Sequence, residues 1–201
     1  MTSINHKILL ASSSSYRQLL LGKLIRNFST DSPNINEIRL KNESFKNMAE
    51  RLAKEKSLAL ASKYPDYLII GSDQVACIQI NKQEIQLQKP ITKEKCFEQL
   101  KICQGQTVKF YTGICLLNTL TLHSQTSTEY YETKFRKLND TQIWNYIERE
   151  PALDCAGGFK MEGLGIALFE HIRGDDPNSL IGLPLIKLID MLHKEGVDIL
   201  G

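Results

Sequence analysis

Short apolar runs alternate with stretches of helical period along the whole of the 201 residues, and this mixture is what most constrains the fold. Apolar or alternating runs rich in Val, Ile, Tyr and Phe read as strands at 7–11, 67–71, 75–80, 108–117, 120–128, 130–137 and 166–172. Asn81-Lys82-Gln83 reads as the turn of a hairpin running on into 84–87. Apolar residues three and four apart predict helices over 15–24, 45–64, 93–103, 140–149 and 179–194. Asp140 is a candidate N-cap, and Thr92 followed by Glu94 and Lys95 reads as a helix start. Mixed strands and helices, with several strands adjacent in sequence, predict an α/β or α+β fold with a mixed sheet. There is no repeat, low-complexity tract or linker, so a single domain over 1–201 is expected.

Composition narrows the function classes. The chain is 42% hydrophobic and 24% charged, as a globular protein with a sizeable core is. A formal net charge of +2 without a long Lys/Arg block argues against nucleic acid as the partner. Small phosphorylated ligands need only a few local cations and stay open. The five cysteines contain no C-x-x-C, and the four histidines no H-E-x-x-H, which disfavours a disulfide framework or a zinc site and suits a reducing, cytoplasmic setting. The first apolar run, Ile8-Leu9-Leu10-Ala11, is too short for a signal peptide, and no segment approaches a membrane span.

Four clusters and one lysine on a helical stripe could carry chemistry. Ser12 to Arg17 follows a strand and opens a helix; hydroxyls, free backbone N–H groups and one Arg there suit a phosphate as well as they suit a plain Ser cap. Neither a P-loop nor a Rossmann fingerprint is present. Asp73 follows the apolar run Leu68-Ile69-Ile70 and is expected where a buried strand ends, a position at which ligands collect in open α/β sheets. It could bind Mg²⁺ or take a proton from water, or be a turn Asp. Lys56 shares the apolar stripe of Phe45, Met48, Ala49, Leu52, Ala59 and Leu60, so it either snorkels outward or meets a negative partner. On the stripe alone, Lys56→Met is expected to preserve or raise stability. Lys89-Pro90 is a weaker signal, a cation ahead of a helix start. Gly157, Gly158, Gly163 and Gly165 would let backbone approach a ligand faced by Lys160 and Glu162, or form a flexible surface loop. Several cations, Asp73, a second carboxylate at Glu37 and no redox or thiol apparatus together suit hydrolysis of a phosphate anhydride.

The order of L-L-A-S-x-S-x-x-R, Asn36-Glu37, R-L-A-x-E-K, I-I-G-S-D-Q-V, K-P, F-Y-T-G, C-A-G-x-F-K-x-E-G-x-G and D-D-P-N-S-L-I-G-L-P resembles the Maf family along nearly the whole chain. Within it, G-S-D-Q-V, F-Y-T-G and F-K-x-E-G most resemble the bacterial branch that hydrolyses 7-methyl-GTP. The resemblance implies an elongated body like that of the inosine-triphosphate pyrophosphatases, with a cleft between two lobes. It also implies cleavage of a nucleoside triphosphate between the α and β phosphates, with Mg²⁺ or Mn²⁺. Carried over by position, Ser12, Ser14 and Arg17 match the phosphate-binding start, Glu37 the first acidic position, Lys56 the helix Lys, Asp73 the proton acceptor and Lys89 the Lys of K-P. Glu37 and Asp73 are then the metal carboxylates, with Asp73, Lys56 and Lys89 catalytic. Tyr16, Gln74 and Glu162 match positions that separate substrate branches, and Lys160 accompanies Glu162. The chain departs from the family pattern at Ser15, Gln18 and Gln88. The rival readings are a dTTP/UTP pyrophosphatase of the same family, against which Tyr16 argues, and a non-hydrolytic nucleotide sensor of cell division. Oligomeric state is left open, a homodimer being one option.

Overall fold

The computed structural model describes residues 6–201. It contains a mixed sheet of seven strands: β1 (Lys7–Ala11), β2 (Ser29–Asp31), β3 (Tyr67–Ile80), β4 (Gln83–Leu87), β5 (Thr107–Asn118), β6 (His123–Phe135) and β7 (Phe169–Gly174). The strand order is β2-β1-β3-β5-β6-β7, with β4 on β3. β1 is parallel to β2 and β3, whereas β3 with β4 and β6 with β7 are antiparallel. The helices are α1 (Ser15–Leu21), α2 (Phe45–Leu58), α3 (Lys93–Cys103), α4 (Asp140–Arg149), α5 (Pro177–Ile181) and α6 (Leu185–Lys194). The expected α/β mixed sheet is what forms.

The spans of β1, α3 and α4 match the sequence reading, and the differences elsewhere have physical causes. The strands expected at 67–71 and 75–80 are one strand, because Gly71, Ser72 and Asp73 continue it instead of turning. Asp73 therefore lies inside a strand and not at its end. It stands three residues beyond Ile70, the last residue of β3 paired to β1. The helix expected over 179–194 is two helices, since Gly182 takes φ +122° and Pro184 blocks continuation. Asn139, not Asp140, caps α4, in a reciprocal capping box with Gln142. Thr92 caps α3 as expected, accepting from the Lys95 N–H.

The chain forms two compact units, each assembled from separate stretches. Unit 1 holds Met1–Asp73, Thr112–Glu129 and Asp176–Gly201. Unit 2 holds Gln74–Tyr111 and Tyr130–Asp175. In unit 1, β1 is buried on both faces, which is why its sequence is a continuous apolar run. Leu10 packs with Leu20, Ile70, Ile114 and Leu188, while Leu9 and Ala11 pack with Leu60, Ile69 and Leu117. In unit 2, Phe110, Phe135, Phe159 and Phe169 form edge-to-face contacts with centroids 4.9–5.6 Å apart, and Phe97 stacks on Trp144 at 4.8 Å.

Candidate active site

The site in unit 1 begins with two glycines. A Cβ on Gly71 would lie 2.1 Å from the Ala53 carbonyl oxygen, and one on Gly113 2.1 Å from that of Ala49. With no side chains there, α2 lies directly on β3 and β5. The facing residues of α2, spaced at helical period, are Ala49, Ala53, Lys56 and Ser57, all buried. Ala49 and Ala53 are small because the backbones approach so closely. Lys56, one turn further on, is brought onto the strand at Asp73.

Lys56 is 7% exposed and does not snorkel. Its Nζ donates to Asp73 Oδ1 at 2.6 Å and pairs with Glu37 Oε1 at 2.8 Å. Of the two readings of the stripe, the partnered one holds. Asp73 is 6% exposed, whereas the Glu37 side chain is 57% exposed. Glu37 comes from the loop between β2 and α2, and that loop is tied to α2 by Arg51. The Arg51 guanidinium donates to both Glu43 oxygens, at 2.6 and 2.9 Å, and to the Ile38 carbonyl at 3.1 Å. This bidentate pair holds the Glu43 carboxyl below its ordinary range.

Arg17 approaches from α1. Ser14 caps that helix and accepts from the Arg17 N–H, while Ser12 Oγ, nearly buried, accepts from the Ser14 N–H at 3.1 Å and from Arg17 Nη1 at 3.4 Å. Arg17 Nε donates to the Gly182 carbonyl at 2.8 Å. That carbonyl is also 2.9 Å from Ser72 Oγ, which lies 2.8 Å from the Gly113 carbonyl. Thr112 donates to the Ser179 carbonyl at 2.8 Å, and the buried Asp176 carboxylate caps α5 and receives the Ile186 N–H. The D-D-P-N-S-L-I-G-L-P stretch thus serves as the mount for Arg17. Tyr16 sits half-buried in the first turn of α1.

Burial pushes the Asp73 carboxyl above its ordinary value; Lys56 and Arg17 oppose this without cancelling it. Burial also pulls the Arg17 guanidinium below its ordinary value, against the raising fields of Asp73 and Glu37. A raised buried carboxylate among cations is a better base than a free Asp and sits in a field made for polyanions. Glu37 and Asp73 converge on one ammonium, so both reach the place where a cation is favoured. Among the described residues no three His, Cys, Asp or Glu side chains gather as a metal cage. Two carboxylates plus phosphate oxygens are the donor set that Mg²⁺ or Mn²⁺ takes, so the residues fit a metal whose remaining ligands come from a phosphorylated ligand.

The remaining expected residues belong to unit 2. Gln74 follows Asp73 on β3 and is half-buried. Lys89 is exposed in the loop between β4 and α3. Gln88, where the family pattern has Gly, is held there by its carbonyl, which accepts from Gln99 Nε2 at 3.0 Å. Lys160 is half-buried, with its N–H donating to the Tyr146 hydroxyl, and Glu162 is exposed. The glycines around them serve the fold. Gly157 and Gly158 take φ +86° and +78°, and a Cβ on Gly163 or Gly165 would strike Glu150 or the Lys160 carbonyl. Glu150 also accepts from the Leu164 N–H, so the segment is folded on itself. All five cysteines are free, and burial lifts Cys96 to about 11 and Cys103 and Cys155 to about 12, so these three stay thiols. Arg51, Ser72, Thr112 and Gly182 escaped sequence reasoning. Each lies inside or beside a motif, but its role depends on a partner distant in sequence.

A family profile described as Maf-like protein matches residues 7–195. The chain is 48% identical to the 7-methyl-GTP pyrophosphatase of Aliivibrio fischeri over 194 residues, covering 96% of this chain and 98% of that one. It is 47% identical to the 7-methyl-GTP pyrophosphatase of Nitrosococcus oceani, covering 96% and 95%. Among solved structures, a HAM1 protein from Coxiella burnetii aligns with a TM-score of 0.51 at 16% identity, over 94% of this chain and 99% of that one, a likeness of fold.

Proposed function

The chain belongs to the Maf family, and we propose that it hydrolyses 7-methyl-GTP to 7-methyl-GMP and pyrophosphate. The observation that supports this most is the buried ammonium of Lys56, held between Asp73 and Glu37 with Arg17 alongside. A triphosphate carries the charge that such a set neutralises, and Asp73 is a nearly buried base beside it.

Asp73 orients a water and takes its proton as the oxygen attacks the α-phosphorus, with pyrophosphate leaving. Lys56 stabilises the ionised Asp73 beforehand and the phosphate charge afterwards. Arg17, with Lys89, neutralises the triphosphate and the leaving group, and Ser12 and Ser14 hold phosphate oxygens. Glu37 and Asp73 would hold Mg²⁺ or Mn²⁺, which when bound would supply further neutralisation of the triphosphate. Tyr16, Gln74, Lys160 and Glu162 are assigned to the nucleoside; the Glu162 carboxylate can accept from the N1–H and 2-amino donors of guanine. Residues 1–201 act as one Maf-like domain. We place the enzyme in the cytoplasm, where its free thiols persist; no helix among the described residues is long and apolar enough to cross a membrane. A homodimer is the assembly to test, by light scattering.

The deciding experiment offers the protein 7-methyl-GTP, GTP, UTP and dTTP with Mg²⁺ or Mn²⁺, and scores pyrophosphate. The expected result is metal-dependent release from 7-methyl-GTP ahead of the others. Orthophosphate as first product, or full activity in excess chelator, overturns the reaction class. Equal rates on all four overturn the substrate.

A further inference from the structure

The sheet of unit 1 ends on one side at β2, which is only three residues long. On the other side it ends at the first half of β6. There β7 pairs only with Tyr131–Phe135, so no strand among the described residues flanks residues 123–129 on the side away from β5. At about 3.4 Å per residue this edge is about 24 Å long, and it presents a row of outward backbone N–H and C=O groups. Edges of that length are usually blunted by Lys or Pro, and His123-Ser124-Gln125-Thr126-Ser127-Thr128-Glu129 contains neither. Helix α6 runs beside the edge without covering it. A groove of about 600 Å³ lies between them, lined by residues 123–127 and by a side of α6 that includes Lys187, Asp190 and Lys194. Strand side chains alternate between faces, and Thr126 donates to Glu50 of α2, on the face of the sheet away from α6. Five consecutive residues therefore line the groove because the backbone edge itself opens into it.

We propose that this edge pairs with the same edge of a second copy of the chain, antiparallel about a two-fold axis at Thr126. Residues equidistant from Thr126 then face each other across the axis. His123 faces Glu129 of the second copy, Ser124 faces Thr128, Gln125 faces Ser127, and Thr126 faces itself. An imidazole opposite a carboxylate and hydroxyls opposite hydroxyl or amide groups are pairings that stabilise an antiparallel ladder. The match depends on the register. With the axis at Gln125, His123 would face Ser127, and Glu129 would fall opposite Thr121 in the turn before the strand. An unrelated peptide could use the same backbone groups, but the symmetry of the side chains about Thr126 fits a second copy. The inference goes beyond the pyrophosphatase reading, which places none of its residues on this edge.

The test uses the full chain. Sedimentation equilibrium of the wild type should show a reversible dimer. Thr126→Lys sets two like charges against each other at the axis and should weaken association by about 2- to 5-fold. Cysteine cross-linking reads the register. Opposed residues of an antiparallel pair have Cα atoms about 4.5–5.5 Å apart, within reach of a disulfide. Thr126→Cys should therefore give a covalent dimer with a mild oxidant, against a wild-type control for the native thiols. Ser124→Cys should not, because its own counterpart lies four positions away, about 14 Å along the strand. Combining Ser124→Cys with Thr128→Cys should restore the link. A wild type that stays monomeric overturns the inference. So does a dimer in which Thr126→Cys links no better than Ser124→Cys, since another surface then holds it. Neither result bears on the pyrophosphatase reading, which is scored on released pyrophosphate.

Discussion

Replacing Lys56 by Met tests the centre of the site, because two lines of reasoning give opposite signs. The apolar stripe of α2 says that Met belongs there and that stability should hold or rise. The ion pair says otherwise. Lys56 Nζ is 2.6 Å from Asp73 Oδ1, and both side chains are 9% exposed. Removing one partner of a buried pair strands the other charge, at a cost of about 3–5 kcal/mol. Asp73 can escape by taking a proton, which sets a ceiling. Starting from the ordinary value of 3.8, protonation at pH 7 costs about 4 kcal/mol at about 1.4 kcal/mol per pH unit, and less for a carboxyl already raised by burial. Glu37 is largely solvated and adds little. The expected loss is therefore about 2–4 kcal/mol at pH 7, or a Tm lower by about 5–15 °C for a chain of this size.

The pH dependence carries the diagnosis. With Lys56 gone, the folded-state value of Asp73 rises further above its unfolded value. Between the two values the folded protein binds more protons than the unfolded one, so stability falls as pH rises through that window. Denaturant melts at pH 5, 6, 7 and 8 should show the gap to wild type widening upward. In an Asp73→Asn background the same substitution should cost almost nothing, since no carboxylate is left to strand. A gap that stays flat with pH, or that persists in the Asn background, refutes the pairing as the source of the loss and leaves plain packing.

Two further outcomes follow from the same geometry. Asp73→Asn should lower kcat by about 10²–10⁴-fold in a protein that still folds, with a lower unfolding midpoint because the buried Lys56 ammonium keeps only the solvated Glu37 as a partner; stopped-flow pyrophosphate release and thermal melts check both halves, and in the wild type the acid limb of kcat/KM should lie above the ordinary carboxyl range. Gly113→Ala should destabilise by about 1–3 kcal/mol, since its Cβ would meet the Ala49 carbonyl at 2.1 Å and push α2 away, and should cut kcat/KM through Lys56; a folded variant with full activity would refute the positioning role of that contact.

Much of this was legible in the residues, and the parts that were not share one cause. β1 could be read because a strand buried on both faces must be apolar throughout, and α3 and α4 because their periods and caps are local. Ser29–Asp31 carries no such signal: three polar or small residues form a strand only because β1 is beside them. The break at Gly71-Ser72-Asp73 reads as a turn by composition, yet all three are buried within β3. Ser72 has its hydrogen-bonding partners in Gly113 and Gly182, which no local pattern reveals.

The helix motif R-L-A-x-E-K shows how far local spacing can carry. Arg51 and Lys56 are five residues apart, which places them about 140° apart around the helix axis at about 100° per residue. They must therefore face different things. Lys56 shares its side with Ala49 and Ala53, the two residues small enough for the glycine-bearing strands, and so it reaches Asp73. Arg51 faces the incoming loop and clamps Glu43, which fixes the segment that carries Glu37. Glu37 then meets Lys56 from the solvent side. One helix thus sets both carboxylates of the site by presenting two cations on two faces. The spacing required that the two cations face different partners, and only the fold could say that both partners are acidic.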